Sequence, residues 1–117
     1  MIGVAKKAAE LVMKAKNSLS EKEREEYLKA VRSLGPMIIR NGLAGSLLFA
    51  KKKEWPEELV NHLDELIELQ TGKKGILKKV ENGSIFDEDY LWIQIAALES
   101  VRWLKRYSEI ILGGEET

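Results

Sequence analysis

Few residues of this 117-residue chain have the types and spacing that chemistry needs. Glu58 and His62 stand four apart, on one face of a helix, as metal ligands do. A di-iron bundle, however, needs two Glu-x-x-His segments and further glutamates, and His62 is the single histidine. Asp87-Glu88-Asp89 would suit a hard cation, yet acids opening a helix are explained by capping and by its positive dipole end. With no Cys, disulfides, cysteine zinc sites and thiol nucleophiles are excluded. There is also no G-x-x-x-x-G-K phosphate loop, no Ser-His-Asp set and no nucleophile elbow. The expectation is a protein that is not an enzyme and holds neither metal nor cofactor.

Cationic clusters are the remaining candidates. Nineteen basic and nineteen acidic side chains cancel, so no global field draws the chain onto nucleic acid, and any such surface is a local patch. Arg102, Lys105 and Arg106, with Arg40 and Lys51, Lys52 and Lys53, could neutralise phosphates; the plain alternative is a solvated helix face with Glu99 and Glu109 as ion-pair partners. Gly72-Lys73-Lys74-Gly75 mimics the GxxG loop that clamps nucleic-acid backbone in KH domains, but such a module needs strands, and a basic turn between helices is the simpler reading. Lys78 and Lys79 enlarge that cluster. Trp92 and Trp103, eleven apart, fall near one edge of a helix. Core packing is the plainer reading of Trp103, whereas Trp92 is a candidate interface contact.

The elements that position these residues read as helices throughout. Val4, Ala8, Leu11, Val12 and Ala15 recur at helical spacing, and Asn17-Ser18 closes that helix. Ser20 with Glu23 forms a capping box, and Tyr27, Leu28, Val31 and Leu34 continue as a buried stripe. Gly35-Pro36 ends or kinks this second helix; the next segment carries Met37, Ile38 and Ile39, is interrupted at Asn41-Gly42, and resumes through Leu43, Leu47, Leu48 and Phe49 as a central stretch. Trp55-Pro56-Glu57-Glu58 opens a helix burying Leu59, Leu63, Leu66 and Ile67 until Thr71-Gly72. Gly75 to Val80 forms a short helix, and Asp87-Glu88-Asp89 starts the last and longest one, which runs to about Leu112 before Gly113-Gly114 and an acidic tail. The expected fold is all-α: residues 1–117 form one domain, a kinked bundle of five to six helices.

In the last helix Tyr90, Ile93, Ala97, Val101, Leu104 and Ile111 share the core-facing side. Leu91, Ile95 and Leu98 carry apolar surface almost all the way round, so neighbours enclose this helix or another protein completes its burial. Tyr90-Leu91 followed by Leu98, Trp103, Lys105-Arg106-Tyr107, Glu109 and Leu112 resembles the closing helix of the small-subunit family of Cmr-type (type III-B) CRISPR complexes. Pro36-Met37-Ile38-Ile39-Arg40-Asn41-Gly42-Leu43, followed by Leu47 and Phe49, resembles the family's other signature. The interval from proline to Gly-Leu is one residue shorter than in the family pattern, which makes Asn41 a further candidate interface position. The resemblance covers roughly residues 27 to 50 and 90 to 112.

It implies a non-catalytic subunit in antiviral defence that packs beside the backbone and large subunits and other copies of itself. Such a subunit holds guide RNA and single-stranded target RNA through backbone contacts, for which Arg40, Lys51, Lys52, Arg102, Lys105 and Arg106 are the candidates. Base pairing to the guide, not the protein, would read sequence. The rival is a helical protein-protein adaptor with no nucleic-acid contact; a small DNA-binding regulator would need a recognition helix that the Gly72 to Val80 region is too short to supply. Met1 to Lys7 reaches charges before an apolar leader forms, and no window approaches the roughly 20 apolar residues that span a bilayer, so a cytoplasmic protein with no membrane contact is expected.

Overall fold

Helix starts and stops follow the chain's punctuation closely. In the computed structural model, which describes residues 2–113, the order is α1 (Ile2–Ser18), α2 (Glu21–Lys52), α3 (Glu57–Thr71), α4 (Ile76–Glu81) and α5 (Tyr90–Ile111), with no strand among the described residues. The fold is all-α, as the periodicities predict. The acidic tail, Glu115-Glu116, lies outside the described residues. The capping box forms in full: the Glu23 N–H donates to Ser20 Oγ at 3.1 Å, and the Ser20 N–H donates to Glu23 Oε1 at 2.8 Å. These bonds hold the Glu23 carboxyl below its usual range. Pro56 is the N-cap of α3, and Gly72 in the left-handed region (φ 75°) ends it. The last helix opens at Tyr90, after the three acids: Asp87 Oδ1 accepts the Asp89 N–H at 2.8 Å in the turn leading into it.

The kink in α2 is not where proline suggests. Helical geometry continues through Pro36, and the break falls six residues later at Gly42, with φ 80° and ψ 163°. That conformation is open almost only to glycine. It frees the first N–H groups of the following segment, and α5 supplies acceptors for them. Leu43 N–H donates to Gln94 Oε1 at 2.9 Å, and Ala44 N–H donates to Tyr90 Oη at 3.1 Å. Ser46 Oγ turns back to donate to the Gly42 carbonyl at 2.8 Å. The expectation of a wholly central stretch is also corrected: Ile38, Leu43 and Leu47 are buried, but Ile39, Leu48 and Phe49 face outward, because each part of α2 turns only one face to the core.

One apolar cluster draws on all five helices, and α5 packs against α1, α2 and α3. Ile93, Ala97, Val101 and Leu104 are buried as predicted, with Tyr90 and Ile111 at the margin; Leu91 and Ile95 are not enclosed by any neighbour. Most polar groups admitted to the interior are tied together. Gln70 Nε2 donates from α3 to the Ala96 carbonyl (3.1 Å) and Ser100 Oγ (2.8 Å), and Ser100 Oγ donates to that same carbonyl at 2.7 Å. Asp64 accepts the Gly75 and Ile76 N–H groups at 3.1 and 3.0 Å, which fixes the start of α4. Tyr27 Oη and His62 Nδ1 share a buried hydrogen bond of 2.8 Å, their rings 5.6 Å apart. Ser108 Oγ is buried beside Tyr27 without hydrogen-bond geometry to any protein atom. Burial raises the Tyr27 hydroxyl well above its ordinary range and pulls His62 down to about 4.

Two expectations follow for stability. Gly42→Ala would force a side chain into positive φ with its Cβ 3.2 Å from Tyr90 Oη, and a loss of about 2–3 kcal/mol is expected. Gly35→Ala is the internal control: beyond its chain neighbours its Cβ would meet Val101 Cγ1 at an ordinary 3.6 Å, and the helix-propensity gain is offset by crowding against the Pro36 ring, so a change within about 1 kcal/mol is expected. Denaturant midpoints moving equally for both would contradict this account. His62 stays neutral in the folded chain down to about pH 4, while an unfolded histidine titrates near 6.5. The unfolded state therefore binds the extra proton, and stability is full well above pH 6.5 and falls as pH drops, by about 2 kcal/mol at pH 5. The slope between pH 6.5 and 5 should vanish in His62→Gln; a slope that persists there would place its origin elsewhere.

Candidate functional site

The outward side of α5 is divided in two. Its first half presents Leu91, Trp92 and Ile95, and its second half presents Arg102, Lys105 and Arg106. Helical spacing sets this division: Leu91, Ile95 and Arg102 are four and seven apart, so one stripe carries both parts. Between the arginines lies Trp103, half-buried at the edge of the core. Its Nε1–H donates to Glu99 Oε2 at 2.9 Å, and its ring stacks on Tyr107 with centroids 6.0 Å apart and planes inclined by 20°. The Arg102 and Arg106 guanidinium carbons stand 5.8 and 5.9 Å from the Trp103 centroid, within cation–π reach. The core reading of Trp103 thus holds in part, since it packs against the apolar cluster from the margin. One edge packs inward while the ring serves as a platform that orients two cations.

The other predicted cations lie elsewhere. Pairings of Ala44 with Tyr90, Leu43 with Gln94 and Arg32 with Glu109 (3.0 Å) make α2 and α5 antiparallel. Lys51 and Lys52 lie at the far end of α2, past the Gly42 break, where the chain runs beside α4. Lys51 is ion-paired with Glu81, and Lys53 lies over the Phe49 ring at 5.7 Å. Lys51 and Lys53 also line a groove shared with Glu23, Glu26, Glu54, Glu57 and Glu58. Arg40 and Asn41 are exposed on α2 just before the Gly42 break. The six cations form no single patch; the trio on α5 is the compact one.

Sequence reasoning missed the acceptors Tyr90 and Gln94 and the Gln70–Ser100 clamp, which join residues tens of positions apart and leave no local signal. Gly72 and Gly75, both at positive φ, serve as the cap of α3 and the start of α4, and without flanking strands the GxxG segment is a basic turn. Lys73 within it pairs with Asp89 at 3.4 Å. Among the described residues no three of His, Asp and Glu gather as a metal set, and Nδ1 of His62 is engaged by Tyr27. No helix among them is long and apolar enough to cross a membrane. Chemically, the α5 trio can neutralise phosphates and the apolar half can take a protein surface.

The model of the CRISPR-associated protein family Cas_Cmr5 matches residues 2–111, which takes in all five helices. The CRISPR system Cmr subunit Cmr5 of Thermotoga maritima is 43% identical over 109 residues, 92% of this chain and 84% of that protein. The chain belongs to the Cmr5 family. No solved structure matches it. For this Cmr5-family chain the match extends through α3 and α4, the part between the two blocks from which the resemblance was read.

Because Trp103 is half-buried, Trp103→Ala should cost about 1–2 kcal/mol and not the roughly 3–5 kcal/mol of a fully enclosed aromatic. Chemical denaturation measures this directly, and a loss above about 4 kcal/mol would return Trp103 to the core.

Proposed function

We propose that the chain is a non-catalytic small subunit of a CRISPR Cmr ribonucleoprotein complex and that it holds an RNA backbone through the basic end of α5. In that role it packs against the backbone and large subunits and against copies of itself, beside guide RNA and single-stranded target RNA. One observation carries the RNA part: Arg102, Lys105 and Arg106 stand together on an outward surface, with two guanidinium groups held over the Trp103 ring. Cations so placed contact phosphates without reading bases, and release of counterions drives the association. The Lys51 to Lys53 end is less suited, since the carboxylates along its groove repel phosphate. Arg40 and Lys52 are accordingly secondary contacts. Membership of the Cmr5 family and its relative's assignment to a Cmr complex support the assembly part.

The test is salt-titrated filter binding of target RNA by the assembled complex carrying Arg102→Ala, Lys105→Ala and Arg106→Ala together. Affinity should fall at low salt, the difference should shrink as salt rises, and the salt slope should decrease by up to about 2 if three single-strand phosphate contacts are lost. Unchanged affinity at low salt would sink the RNA reading and leave the adaptor role, which the uncovered Leu91–Ile95 surface would then serve alone.

A further inference from the structure

Away from α5, the groove beside Lys51 and Lys53 has a volume of about 840 Å³ and is lined by both parts of α2, the turn that follows it and the start of α3. Such a volume suits a ligand site. Its floor is apolar: Ala30, Leu47 and Ala50 are buried there, and Trp55, Val60 and Leu77 are half-buried beside them. Its rim is acidic. Glu26, Glu54 and Glu57 are exposed and Glu58 is half-buried, and none of the four makes an ion pair among the described residues. Of the lysines along the groove, Lys51 is paired with Glu81 and Lys53 stands over the Phe49 ring at 5.7 Å, which leaves the Lys29 ammonium against four carboxylates.

The aromatic pair at the edge of this groove already attracts a cation. Phe49 meets Trp55 edge-on, with centroids 5.9 Å apart and planes at 86°, and the chain's own Lys53 is the cation over Phe49. We infer that the groove receives a cationic segment of a partner protein, with an arginine seated against Trp55 and its charge answered by Glu54 and Glu57, which flank Trp55 in the chain. An arginine supplies what both surfaces ask for: a weakly hydrated planar face for the indole, and a fork of N–H donors for carboxylates. Apolar side chains of the same segment cover Leu47 and Leu77. A phosphate chain meets repulsion on this rim, and no three of the acids gather as a metal set.

Glu54 allows the charge to be separated from the fold. It sits just past the end of α2 at φ 53°, where glycine is the usual residue: the Trp55 N–H donates to the Ala50 carbonyl at 3.0 Å, and the Glu54 N–H to that of Lys51 at 3.1 Å. Glu54→Gly therefore eases the backbone while removing a carboxylate from the rim. The groove lies off the α5 stripe, so this inference goes beyond the proposed function and can fail while RNA retention stands.

The test is an NMR titration of the full-length 15N-labelled chain with a capped nonapeptide of alternating Arg and Ala. Shifts are expected at the amides of Glu54 to Glu58 and at the Trp55 indole, with a dissociation constant on the order of 100 μM to 1 mM that rises with salt. Glu54→Gly should raise the melting temperature and yet weaken the peptide about two- to fivefold, and Glu57→Gln should weaken it by a similar factor. The same peptide with Glu in place of Arg should leave the groove unmoved. Affinity unchanged in both variants, or shifts as large at Glu10, Glu65 and Glu68 as at the groove, would overturn the inference. So would a uridine hexanucleotide that moves the groove amides, which would give the site to RNA. Groove shifts that follow protein concentration with no peptide present would give it to a second copy and equally overturn the assignment.

Discussion

At Gly42 the backbone of α2 leaves helical geometry, and N–H groups that an unbroken helix would have satisfied lie close to the core. An unmet donor in such a place costs about 1–3 kcal/mol, so the bend is tenable only because Gln94 and Tyr90 present acceptors to Leu43 and Ala44. The same two bonds fix how far α5 lies along α2 and which side it turns inward. With that register set, Val101 falls against Gly35, Glu109 reaches Arg32, and Ser100 comes under Gln70 of α3. The outward stripe of α5 is then whatever remains. Local satisfaction of two donors thereby decides which residues a partner meets.

The polar groups inside the bundle serve specificity more than strength. Tyr27 and His62 join α2 to α3, but burial shifts Tyr27 up and His62 down, the sign of desolvation and not of a charged partnership. An apolar filling of equal volume would serve stability as well. What the Tyr27–His62 bond adds is a preferred alignment of two helices whose leucines alone would tolerate sliding by a turn.

Much of this architecture is legible in the residues. The stripes Val4 to Ala15 and Leu59 to Ile67, the Ser20–Glu23 box and the stop at Gly72 are local patterns, each decided within one or two turns. The residues allow a bend at Asn41-Gly42 as well as at Gly35-Pro36, and only tertiary contacts settle that Gly42 is the one: a proline is tolerated in α2, whereas the N–H groups freed by the break need acceptors from a helix fifty residues away. Ile39 is exposed and Trp103 only half-buried for a related reason. Hydrophobicity tells that a residue gains from burial, but the break in α2 and the width of α5's neighbours determine whether burial is on offer. Separation of the cations is equally hidden, since Lys51 pairs with Glu81 of α4 beyond the Gly42 break while Arg106 stays beside Trp103 on α5.

A chain with no net charge can still present a directed field when its charges are sorted by position, and α5 does this along one stripe. Arg102 and Arg106 are long side chains whose ordering normally costs about 2 kcal/mol each in rotamer freedom. Stacking on Trp103, itself braced by Glu99 and Tyr107, removes part of that freedom beforehand, so less is lost when a phosphate arrives. Covering Leu91 and Ile95 would act in the same direction, because a protein surface on the first half of the helix anchors the axis from which the basic half projects. The two halves of the stripe therefore reinforce one another: apolar contact sets the angle, and the preoriented cations use it.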